Sequence, residues 1–184
     1  MPAVELWESF FDPTGILEAL GCQRISGDAV EFGCGYGTFT LSAAQQVSGF
    51  LYASDIDPAM VASTTARALE YGIGNIVIEE RDFLGSGSGR PDASVSFAML
   101  FNILHVEDAI SLLREAYRNL RQGGMAAVIH WKHDMQTPRG PPLAIRPSPE
   151  QCAAWAEGAG FCVQSVVREL PNSPWHWGMQ LQRL

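Results

Sequence analysis

A chain of 184 residues, 47% hydrophobic and 17% charged, is long enough to fold as one domain around a substantial core. Its formal net charge of −8 argues against the basic stripe that a large nucleic-acid footprint needs. No apolar run reaches the ~20 residues of a membrane-spanning helix, and the start, Met-Pro-Ala-Val-Glu-Leu-Trp-Glu8, has neither a basic opening nor a leader-like run. Cys22, Cys34, Cys152 and Cys162 make no C-x-x-C pair and no zinc spacing, so reduced thiols in a cytoplasmic protein without a metal site are expected.

The first 27 residues read as a helical segment. Trp7, Phe10 and Phe11 precede Asp12-Pro13, a cap and first helical residue, and Gly21 ends the helix after Leu17 and Leu20. This segment either packs over a sheet edge or covers a ligand mouth. Asp28 to Thr40 then begins as a strand, with Ala29, Val30 and Phe32 around Glu31. It turns on Gly33, Gly35 and Gly37 and runs on as a helix through Phe39, Leu41, Ala43 and Ala44. Alternate glycines let the backbone approach a ligand closely, and the helix start points free N–H groups at the same space. A dinucleotide fingerprint would read G-x-G-x-x-G with a pyrophosphate at the helix start. Here the third glycine comes one position early, and Glu31 would repel a pyrophosphate but attract an ammonium group.

The second strand, 49–55, ends in Asp55, placed where an acid accepts from ribose hydroxyls. Asp57-Pro58 reads as a helix cap, with Gly72 and Gly74 at the far end. The third strand, 75–83, ends in Asp82 and Phe83, where a carboxylate could meet an adenine amino group beside an aromatic ring. The fourth, 92–100, runs into Phe101-Asn-Ile-Leu-His105. Glu107 and Asp108 open the next helix, Ile110, Leu113, Tyr117 and Leu120 mark its apolar face, and Gly123-Gly124 stops it. Arg114, Arg118 and Arg121 read as its solvated side. A fifth strand, 125–131, leads to a proline-rich loop over 132–147. Ser148 and Gln151 open a further helix as a capping box, followed by a strand over 161–167. The last strand alternates strictly, Trp175, Trp177, Met179 and Leu181 against His176, Gly178, Gln180 and Gln182, which predicts a half-exposed antiparallel partner.

The order predicts an α/β fold: a Rossmann-like, doubly wound, mainly parallel seven-stranded sheet closed by a C-terminal antiparallel β-hairpin. Ligands in such sheets lie beyond the carboxyl ends of the strands. Glu31, Asp55, Asp82, residues 100–105 and His130 all fall there.

The pieces E-F-G-C-G-Y-G, Ser54-Asp-Ile-Asp-Pro58, Arg81-Asp-Phe83 and Asn119-Leu-Arg-Gln-Gly-Gly124, with the closing hairpin, resemble class I S-adenosylmethionine (SAM)-dependent methyltransferases over residues 28–184. The resemblance implies that Gly33, Gly35 and Gly37 approach the methionine part of SAM, with Glu31 behind them. It also implies Asp55 on the ribose, Ile56 against adenine, Asp82 and Phe83 at the adenine edge, and Leu100 beside the cofactor. Many small-molecule members read Leu-His-His after strand four, whereas this chain has Leu104-His105. There is no N-P-P-Y-type motif either. The implied activity is in-line methyl transfer to a small-molecule acceptor, with His105 as general base ahead of His130 and His133. Trp7, Phe10, Phe11, residues 101–105 and the 131–147 loop would wall the acceptor. Residues 1–27 would serve as an active-site cover. Nucleic-acid and membrane partners are not expected, and a homodimer stays open as the assembly. A non-catalytic SAM-binding module or partner subunit is the alternative. A nicotinamide-dependent oxidoreductase is disfavoured by Glu31 and by the lack of a Tyr-x-x-x-Lys pair.

Overall fold

The computed structural model describes residues 3–184, so the first two residues of the N-terminal segment lie outside the described residues. Among the described residues, the strands are β1 (Ala29–Phe32), β2 (Leu51–Asp55), β3 (Ile76–Glu80), β4 (Val95–Phe101), β5 (Leu120–Trp131), β6 (Cys162–Val167) and β7 (His176–Gln182). They form one sheet in the order β3-β2-β1-β4-β5-β7-β6. The first five run parallel, and β7 lies antiparallel to both β5 and β6. Strand order reverses between β1 and β4, so the connections leaving those two strands diverge to opposite sides. A crevice opens there at the carboxyl edge, the usual place for a ligand in such a sheet.

Period-two alternation decides which residues face which layer. Phe97, Met99 and Phe101 of β4 join Phe11, Ile16, Leu17 and Leu20 on one face. That face is covered by α2 (Pro13–Ala19), α3 (Thr40–Ala44) and α4 (Pro58–Glu70). Ala98 and Leu100 join Val30, Phe32, Leu112 and Leu113 on the other. There α5 (Phe83–Ser86), α6 (Ala109–Asn119) and α7 (Pro149–Gly158) pack. With a helical layer on each side, every residue of β4 is buried. The helix starts follow their local chemistry. Asp12 accepts from the Gly15 N–H, Asp57 from Ala59, Asp108 from Ser111 and Ser148 from Gln151. No described helix is long and apolar enough to cross a membrane.

Three expectations change. The strictly alternating last strand is not half-exposed: β7 is inserted between β5 and β6, with helices on both faces, so both His176 and Trp177 are buried. Gly123-Gly124 does not stop α6. The helix ends at Asn119 because Leu120 is already extended, and both glycines lie inside β5. A short helix, α5, grows from Asp82 where a strand was expected to continue, because Asp82 accepts from the Leu84 and Gly85 N–H groups.

Candidate active site

The crevice at the β1/β4 divergence is a cavity of about 160 Å³, walled by Glu31, Gly33, Cys34, Gly35, Thr38, Phe39 and Asp55 from the β1 and β2 ends and by Phe101, Asn102 and Ile103 beyond β4. The glycine turn is held from outside. The Gly33 and Cys34 N–H groups donate to the Ser54 carbonyl, Thr64 Oγ1 to the Gly35 carbonyl and Arg67 Nη1 to the Tyr36 carbonyl. Gly33 has φ +83° and Gly35 φ +53°, conformations that favour glycine and keep the cavity floor free of a Cβ. Asp55 holds the same turn from below, accepting from the Gly35 N–H at 2.9 Å and the Asp57 N–H at 3.0 Å.

Glu31 is buried at the bottom and accepts from Thr40 Oγ1 at 2.5 Å. Burial pushes its carboxyl up to about 8, against the pull of the Thr40 hydrogen bond and with the Asp55 charge adding to the rise. A buried acid with no ion-pair partner among the described residues is suited to receive a cation. Burial, with the Glu31 charge nearby, likewise holds the Cys34 thiol up at about 12, so it is no nucleophile.

A second cavity of about 590 Å³ adjoins the first and shares Trp7 and Asn102 with it; its other walls are His105, Trp131, Arg139, Gly140 and Pro141. Trp7 stands on α1 (Val4–Glu8), which an ion pair at 2.6 Å between Glu8 and Arg67 ties to α4 beside the glycine turn. Within the N-terminal segment, Trp7 of α1 lines both cavities and α2 packs on the sheet. The loop wall is pinned by Arg146, whose guanidinium donates to the carbonyls of Lys132, Arg139 and Pro141. Gly140 lies flat against Trp131, where a Cβ would come within 2.8 Å of the indole.

At the junction of the two cavities, Asn102 has φ +56°, and both polar atoms of its side chain are buried without a partner among the described residues. His105 Nδ1 lies 3.3 Å from His130 Nε2, and His130 Nδ1 lies 3.2 Å from the Trp131 carbonyl. Desolvation lowers the pKa of both rings, His130 to about 3.

Residues 29–124 match the family model of a methyltransferase domain. The chain belongs to that methyltransferase family. No curated protein matches it in sequence. Among solved structures it is similar to a SAM-dependent methyltransferase from Aquifex aeolicus, with 23% identity and a TM-score of 0.82 over 96% of this chain and 92% of that one. It is also similar to a SAM-dependent methyltransferase from Mesorhizobium loti (17%, TM-score 0.73, 92% and 98%) and to a geranyl diphosphate methyltransferase solved with SAM (15%, TM-score 0.72, 92% and 83%). The methyltransferase is SAM-dependent, and the cavity's chemistry fits that cofactor: a buried acid for an ammonium, a Cβ-free floor and an acid at the β2 end.

The structure brings Glu31, Gly33, Gly35 and Asp55 of the methyltransferase into one cavity. Ile56, 63% exposed, and Asp82, exposed, lie outside its wall at the same carboxyl edge. Three further expected cofactor residues also lie outside the cavity wall. Leu100 is fully buried, because alternation along β4 turns it into the core against Val30 and Phe32; the wall begins one residue later. The Phe83 ring packs edge-on to Phe32 at 5.5 Å and lines a separate cavity with Leu84, Leu112 and Glu115 rather than this one. Gly37 is not in the wall: at φ +78° it packs on Thr64, where a Cβ would come within 2.9 Å. Of the other expected acceptor walls, Phe10 and Phe11 belong to the core. Two contributors went unremarked in the sequence, and a third, Asn102, fell within the expected 101–105 wall without a role of its own. Thr40 has no motif, Arg67 acts across 31 residues on the Tyr36 carbonyl, and Asn102 carried one signal, as a residue type that tolerates positive φ just past a strand.

Proposed function

We propose that this methyltransferase acts on a small-molecule acceptor held in the second cavity. The observation that supports this most strongly is the shared wall: Trp7 and Asn102 border both cavities, so a ligand in one lies next to a ligand in the other. In this reading Glu31 receives the ammonium of the methionine end, Gly33 and Gly35 let that end lie on the backbone, and Asp55 accepts from the ribose. Ile56 presents an apolar surface to adenine, and Asp82 caps α5 with Oδ1 alone and keeps Oδ2 for the adenine edge. Bound SAM supplies an activated methyl group. The protein's own part is to align the acceptor and exclude water, which α1 and the Arg146-pinned loop are built to do. The indole walls of Trp7 and Trp131 suit a flat, partly apolar acceptor, and His105 is the group able to take its proton.

The test is to incubate the protein with methyl-labelled SAM, a panel of small hydroxylated aromatics, and separately protein and nucleic-acid extracts. Label in the small-molecule arm supports the reading. Label confined to macromolecules, or binding of SAM with no transfer in any arm, overturns it.

A further inference from the structure

The geometry points to His130 as a positioning residue that fixes which nitrogen of His105 carries the proton and thereby turns a lone pair toward an acceptor that arrives with a proton to donate, a hydroxyl foremost. This rests on the reading of His105 as the proton acceptor. Proton counting along one chain of contacts leads there. The Trp131 carbonyl can only accept, so the N–H of the neutral His130 ring must be on Nδ1, 3.2 Å away. Its Nε2 is then a lone pair. His105 Nδ1, 3.3 Å from that lone pair, must carry the N–H for the contact to be a hydrogen bond. A neutral imidazole has only one, so His105 Nε2 is left as an acceptor on a ring that lines the second cavity.

The surroundings keep this order in place. His130 is fully buried and its low pKa leaves it neutral. The T-shaped approach of the two rings, with centroids 5.4 Å apart, leaves no room for a water between Nδ1 and Nε2. A carboxylate or thiolate would set a lone pair against a lone pair at Nε2. A hydroxyl acceptor instead donates its proton there: the O–H bond breaks, the N–H bond forms, and the electron pair stays on oxygen. The positive charge that develops on His105 is shared along the Nδ1–H bond to His130.

Only four histidines are present (His105, His130, His133 and His176), which makes the test direct. Long-range 1H–15N correlation spectra of protein labelled in its histidine rings distinguish protonated from lone-pair nitrogens. His105 is expected with Nδ1 protonated in the unsubstituted protein and in His130→Gln, whose amide oxygen can still accept. In His130→Phe it is expected to revert to the Nε2-protonated form that free imidazoles favour in water. A His105 that is Nε2-protonated from the start overturns the proposal, a result needing no variant to fold. So does one that stays Nδ1-protonated in a folded His130→Phe protein. For the acceptor class, phenol added with S-adenosylhomocysteine is expected to move the His105 Nε2 resonance and benzoate to leave it in place. The reverse pattern, or no response to phenol, overturns that part. Failure of S-adenosylhomocysteine to raise the melting temperature would remove the underlying site assignment instead, separately from the tautomer result.

Discussion

The two cavities of this methyltransferase treat most of their polar groups differently, although Thr38 Oγ1 in the first has no partner among the described residues. In the first, both Asp55 oxygens accept backbone N–H groups, Glu31 accepts from Thr40, and the glycine-turn carbonyls are taken by Thr64 and Arg67. On the border with the second, the Asn102 amide has no partner on either atom among the described residues, and in the second the His105 pair ends in an open lone pair. A pocket that always receives the same cofactor can be organised in advance, each group oriented by a neighbour. A pocket whose ligand brings its own hydrogen bonds keeps unpaired groups, each of which would cost ~1–3 kcal/mol if it stayed unpaired in a complex. The strained Asn102 backbone marks the border between them.

Four substitutions or conditions would sharpen or break this contrast. His105→Ala should lower kcat by ~10²–10⁴, the range of a lost general base, while the SAM dissociation constant measured by calorimetry stays unchanged. Because burial lowers the His105 pKa, the rate of the unsubstituted enzyme should hold to a lower pH than an ordinary imidazole would allow.

Asp55→Ala should act on the other cavity only. A loss of ~1.5–3 kcal/mol for a hydrogen-bonded charge predicts SAM binding weakened by roughly 10- to 100-fold, read by the same calorimetry.

Glu31 adds a pH dependence. Its folded value of about 8 lies above the ordinary 4.5, so its contribution to stability is present below 4.5 and is lost as pH rises through 8. Glu31→Gln should therefore melt increasingly above the parent as pH rises from 4.5 to 8, with the gap constant at higher pH. Receiving an ammonium requires the ionised form, so SAM affinity should fall by about tenfold per pH unit below 8, and the substitution should flatten that slope.

The smallest effect is expected for Asn102→Ala, a rise of roughly 5- to 10-fold in the acceptor's KM from one lost hydrogen bond. SAM affinity should be little changed; a larger loss there than at the acceptor would assign Asn102 to the first cavity.

Much of the first cavity was legible because its chemistry is local. Glu31, Gly33, Gly35 and Asp55 sit within or just after single strands, and strand order alone carries them to one edge. Leu100 lies outside the cavity wall because a strand end is known from sequence only to within a residue, and one residue turns a side chain from the crevice into the core; Phe83 and Gly37 lie outside it, packed on Phe32 and Thr64. Burial of β7 depended on its insertion between β5 and β6, a long-range pairing that its strict alternation contradicts. The second cavity is lined from segments named in the sequence as acceptor walls, Trp7, residues 101–105 and the 131–147 loop, whereas the contact of His105 with His130, 25 residues away, carried no local signal.

The most direct measurement is a crystal structure with S-adenosylhomocysteine bound. The account predicts the amino group on Glu31, the ribose on Asp55, and the sulfur at the opening bordered by Trp7 and Asn102, facing the His105 cavity. A ligand seated elsewhere, or a sulfur turned away from that opening, would contradict it.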